Sequence, residues 1–136
     1  MKRVDLLTGK WQFIGVQIHD GEIWRQSDNN VDNISWEFQL HCFSRNKGAG
    51  LILERSAENP EPILLDYFYD AASGTLHVEM DPSATADQTR QCEARYGEYE
   101  VMVMEHMEHH DPTSDLIVIS RGFDATIPLR YILQKI

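Results

Sequence analysis

Ile34-Ser35-Trp36-Glu37-Phe38-Gln39-Leu40-His41-Cys42 alternates apolar and polar side chains without a break. A period of two places Ile34, Trp36, Phe38, Leu40 and Cys42 on one face of an extended strand, and Ser35, Glu37, Gln39 and His41 on the other. The same signal recurs on both sides. Upstream, Lys10 to Ile18 reads as a first strand, Asp20-Gly21 as a tight turn that needs positive φ, and Ile23-Trp24 as a short return. Downstream, Asn46 to Gly50 reads as a turn into Leu51 to Arg55, and Pro60 and Pro62 as a break in the ladder. Ile63 to Tyr69, Leu76 to Met80, Tyr96 to Glu105, Leu116 to Arg121 and Pro128 to Ile136 follow as runs rich in β-branched and aromatic residues. Asp81 to Ala94 is the exception: Pro82, a capping Ser83 and the polar residues behind them permit one or two helical turns.

Short strands joined by short links describe an all-β antiparallel meander with at most one short helix, in a single domain spanning residues 1–136. A flat sheet of that size leaves two unpaired edges and a bare apolar face. Closing it into an up-and-down barrel of about eight strands removes both, with a two-sheet sandwich as the alternative.

Charge narrows the partners. Lys and Arg number 12 against 22 Asp and Glu, a net charge of −10. That balance disfavours general affinity for nucleic acid or anionic lipid, both of which reward clustered cations. No apolar run reaches the length of a membrane span, and the opening residues lack the apolar core of a secretory signal, so a cytoplasmic protein with reduced Cys42 and Cys92 is expected. Nothing in the chain specifies an oligomer, and a homodimer is compatible with it.

Leu7-Thr8-Gly9-Lys10-Trp11 resembles the G-x-W start of the lipocalin and wider calycin group, with Gly9 and Trp11 in the two motif positions. The closing Tyr131 to Ile136 resembles the last strand of small bacterial lipocalin-like domains. The resemblance implies a ligand-binding barrel without chemistry of its own, in which Trp11 closes the base and an Arg near the last strand, Arg130 or Arg121, lies over it.

If the apolar face of the quoted strand points inward, Trp36, Phe38 and Leu40 line the lumen, and the same alternation puts Tyr67, Tyr69, Val78 and Met80 there. Tyrosine hydroxyls among apolar walls suit a small hydrophobic or amphipathic ligand, bound without catalysis. A barrel filled by those same side chains, acting as a protein-interaction module, is the structural alternative. An enzyme is the chemical one: Asp66, Glu79, His77, His41 and Tyr67 are acid and base groups that could converge, although no spacing compels it.

No P-loop, dinucleotide fingerprint or nucleophile elbow is present, and no cofactor is called for. The cluster Glu105-His106-Met107-Glu108-His109-His110-Asp111 has donors for a borderline metal, but reads first as a solvated strand end and loop; no metal site is assigned to it.

Overall fold

Strands that alternate in this way bury one face only if they curve around a shared interior, and every strand then needs a neighbour on both edges. The computed structural model describes residues 4–27, 33–57, 59–92, 95–104, 116–121 and 128–136. Its elements are β1 (Gly9–His19), β2 (Trp24–Gln26), β3 (Ser35–Ser44), β4 (Lys47–Ser56), β5 (Asn59–Asp70), β6 (Thr75–Met80), α1 (Ala86–Cys92), β7 (Gly97–Met104), β8 (Leu116–Arg121) and β9 (Leu129–Lys135). Antiparallel pairing runs through β1, β3, β4, β5, β6, β7, β8 and β9, and β9 pairs back onto β1. Eight strands therefore close into an up-and-down barrel. β2 flanks the wall, pairing with the end of β1.

The interior is aromatic. Trp36, Phe38, Tyr67, Tyr69 and Val78, all expected inside, are buried, and they join Trp11, Phe13, Tyr99 and Tyr131 in one core. Phe13 meets Trp36 edge-on with ring centroids 5.0 Å apart, Trp36 meets Phe38 at 5.7 Å, and Phe38 meets Tyr67 at 5.1 Å. Edge-to-face contact is the favourable geometry for rings carrying a negative face and a positive rim.

One end of the barrel is shut by the chain that enters it. Trp11 Nε1 donates to the Leu7 carbonyl at 2.8 Å, and the turn between them requires φ of +120° at Gly9, a conformation that side chains with a Cβ rarely adopt. The cation over the Trp11 ring is Lys135, with Nζ 5.5 Å from the centroid. This corrects the expected Arg. Arg130 instead stacks on Trp24 at 4.3 Å and donates to Gln17, while Arg121 lies 5.9 Å from Tyr99.

Other expectations change in the same physical way, through position along the barrel axis. Met80 is on the inward-reading face of β6 but is 43% exposed, because β6 ends there; the Thr89 hydroxyl donates to its sulfur. Leu40 is only half-buried. A bulge between Leu40 and Cys42 inserts an extra residue into β3, so Cys42 faces solvent as a free thiol rather than continuing the apolar row. Gly48 and Gly50 lie within β4 rather than in a turn, and β5 runs through Pro60 and Pro62. The prolines are tolerated where the β4–β5 register slips between Glu54 and Ser56, leaving the ladder irregular.

The cap of α1 is Thr85, not Ser83. Thr85 Oγ1 accepts from the Gln88 N–H at 3.1 Å, and the Gln88 side chain accepts from the Thr85 N–H at 3.0 Å, a reciprocal capping box. Ser83 belongs to the preceding turn, where its N–H donates to Asp81 at 2.9 Å. The cluster from Glu105 to Asp111 lies outside the described residues.

Candidate functional site

Two places bring polar chemistry together, one inside the wall and one outside it. The inner place begins with Glu54. β4 alternates Ile52 and Glu54 inward, and Glu54 is 4% exposed, a depth at which a carboxylate needs charged or hydrogen-bonded partners. Trp36 and Arg95 are among them. Trp36 Nε1, directly across the β3–β4 ladder, donates to Oε1 at 2.8 Å. Arg95, just before β7, approaches as a fork: Nε donates to Oε1, and the terminal nitrogen donates to Oε2 at 2.7 Å. Such two-pronged pairing fixes orientation as well as charge.

Two tyrosines complete the inner cluster. The Tyr99 hydroxyl donates to the Arg95 carbonyl at 2.7 Å, which ties the segment before β7 to the wall. Arg95 also reaches the Tyr131 hydroxyl. Burial pushes both phenols above the ordinary tyrosine range, so both stay neutral donors throughout the physiological range. The cluster carries no net charge, because Glu54 and Arg95 cancel.

Sequence reasoning expected orienting hydroxyls from Tyr67 and Tyr69. These are buried in the core, where burial pushes Tyr67 up to about 12, but the polar cluster is formed by Glu54, Arg95, Tyr99 and Tyr131. An inward charge breaking the apolar alternation of β4 was the one available signal, and it is readable only once an Arg is known to face it.

The outer place is a groove of about 380 Å³ on the wall formed by β3 to β6. Asp66, Glu79, His77, His41 and Tyr67, the five residues whose acid and base groups the sequence offers, all line it. Asp66, Glu79, His77 and His41 come together on the outer surface rather than in the lumen, whereas Tyr67 turns its ring inward to Phe38 in the core. Register explains the convergence: Asp66 lies opposite Glu79, and Phe68 opposite His77. His77 Nε2 stands 3.5 Å from Glu79, and its Nδ1 3.9 Å from Glu98.

Asp66 is pushed up to about 6, first by burial and then by the hydrogen bond and charge of Asp81 and the charge of Glu79. Asp81 moves the other way, lowered by the hydrogen bond from Asp66 and by Ser83. A raised folded value means that the native state holds the Asp66 proton more tightly than the unfolded chain. That contribution is complete below the ordinary 3.8 and is lost as pH rises through about 6. Asp81 acts oppositely, its contribution being lost as pH falls. Asp66→Asn keeps a donor for Asp81 and removes the charge. The variant should exceed the parent in urea midpoint at about pH 8 and approach it at about pH 5. A parent more stable than the variant at the higher pH contradicts the assignment.

Among the described residues, no three His, Cys, Asp or Glu side chains converge as a metal site, and no helix is long and apolar enough to cross a membrane. The chain matches no protein-family model, and comparisons with curated proteins and with solved structures returned no match.

Proposed function

We propose that this is a lipocalin-like carrier that binds a small, uncharged hydrophobic or amphipathic molecule in the barrel lumen without catalysis. The observation that carries the reading is the neutral polar cluster set against an aromatic wall at the α1 end of a closed barrel. Apolar guest surface leaves water at roughly 25 cal/mol per Å², and hydroxyls such as those of Tyr99 and Tyr131 orient what enters. A net charge on the guest has no unmatched partner here, since Arg95 is already paired with Glu54. The Gly9 and Trp11 start and the Trp11-closed base are further support, and they leave the α1 end as the route of access.

A second reading has its own observation. Trp36, Phe38, Leu65 and Val78 are at most 1% exposed and belong to one buried core in which Trp36 meets Phe38 edge-on, which favours a filled barrel that works through its surface. A titration with the fluorescent probe N-phenyl-1-naphthylamine separates the two. The carrier reading expects saturable one-to-one binding, weakened about tenfold by Val78→Phe, which takes lumen volume, and unchanged by Glu98→Ala on the outer wall. Absence of saturable binding, together with no co-purifying molecule in native mass spectrometry, leaves the filled barrel.

A further inference from the structure

The outer groove has a floor, walls and an unanswered charge. Leu51 and Phe68 form an apolar floor, and the Phe68 residue is 44% exposed although it sits mid-strand. The bulge in β3 sets His41 and Cys42 along one side, and β6 brings His77 and Glu79 along the other. Three carboxylates, Asp66, Glu79 and Asp81, crowd one end, and among the described residues no Lys or Arg pairs with any of them. Among the described residues the basic side chain beside Glu79 is His77, which it shares with Glu98.

Chemistry excludes most occupants. Anions meet carboxylates from two strands. A transition metal lacks three converging ligands among the described residues. A neutral apolar molecule leaves the carboxylates desolvated against it. An organic cation satisfies both halves, because its charge answers the carboxylates while its carbon stem covers Leu51 and lies against the exposed ring, whose face attracts cations. The net charge of −10 draws such a molecule toward the surface.

We propose that this groove, independently of the lumen, binds an ammonium or guanidinium group on an apolar stem, with the charge between Asp66 and Glu79 and the stem across Phe68. Binding then displaces the proton that Asp66 holds beside Asp81, so association releases protons at and below about pH 6. The same chemistry is offered by a free amine and by a Lys or Arg side chain of another protein.

Isothermal titration of the folded protein with n-butylammonium, N-acetyl-arginine amide and 1-butanol tests it. The expected result is saturable binding of at least one cation, a heat that at about pH 6 depends on buffer ionisation, and no binding of 1-butanol. Asp66→Asn and Phe68→Leu should each weaken binding about fivefold, and Glu22→Gln, in the β1–β2 loop, should not. Both groove substitutions are at the surface, and circular dichroism checks their folding. Binding of n-butylammonium alone assigns a small amine; binding of the arginine amide assigns a protein side chain. Equal binding of 1-butanol, equal binding by Asp66→Asn, or no saturable binding of either cation overturns the proposal. None of these results bears on the lumen, which the naphthylamine titration reads separately.

Discussion

Arg95→Leu should destabilise the protein by about 3–5 kcal/mol, the cost of leaving one member of a buried ion pair without the other. For a chain of this size that is a fall of roughly 10–15 °C in Tm. The magnitude follows from Glu54, which is 4% exposed and loses both prongs of the guanidinium. A neutral donor such as the Trp36 N–H does not replace the guanidinium charge that answers a carboxylate at that depth. The double variant Glu54→Gln/Arg95→Leu removes both charges, and the new amide oxygen still accepts from Trp36. It should recover at least half of the loss, because a buried pair exchanged for neutral groups is commonly close to neutral in stability. Thermal unfolding of the parent, the single and the double variants checks this. A single variant as stable as the parent means that the pair carries no structural weight.

Gly50→Ala should be comparably damaging for a different reason. A Cβ at residue 50 falls 1.8 Å from the Gln39 carbonyl oxygen and 3.0 Å from the His41 N–H nitrogen, both backbone atoms of the bulged strand. Backbone cannot swing aside as a side-chain tip can, so either the bulge irons out or β3 parts from β4. The expected loss is at or above the upper end of the roughly 1–3 kcal/mol typical of overpacking. Gly15→Ala provides the contrast, since its nearest neighbour is the Gln26 amide at an ordinary 3.5 Å. At Gly48 the obstacle is the Leu40 methyl at 2.8 Å, which can rotate. Urea midpoints should therefore fall least for Gly15, more for Gly48 and most for Gly50. If Gly50→Ala instead matches Gly15→Ala, the bulge is not held by close approach.

The fold was legible because period-two alternation is a local signal. Trp36 and Phe38 announce their face within five residues, and the edges of so many short strands can be satisfied together only by closure. What alternation leaves out is where along the axis a residue falls. Met80 shares the face of Val78 yet emerges from the barrel, and Cys42 shares the parity of Trp36 yet lies beyond a bulge. The candidate sites fared differently again. Asp66, His77 and Glu79 show their acid–base chemistry in the sequence, but their adjacency is a fact of register between β5 and β6 that the chain does not encode in any one segment. Glu54 and Arg95 lie on opposite sides of a long stretch of sequence, and neither marks the other. Arg130 failed as the partner of Trp11 because Lys135, nearer the strand end, is opposite it in the ladder.

The seam between β9 and β1 joins Phe13 to Leu133, and the Ile136 N–H donates to the Lys10 carbonyl at 3.0 Å. Contacts between positions so remote in the chain form slowly, because the intervening polypeptide must be drawn together first. During synthesis, β1 leaves the ribosome long before the strand that covers it exists. That interval, more than any moment in the life of the finished molecule, is when nascent copies can stick to one another.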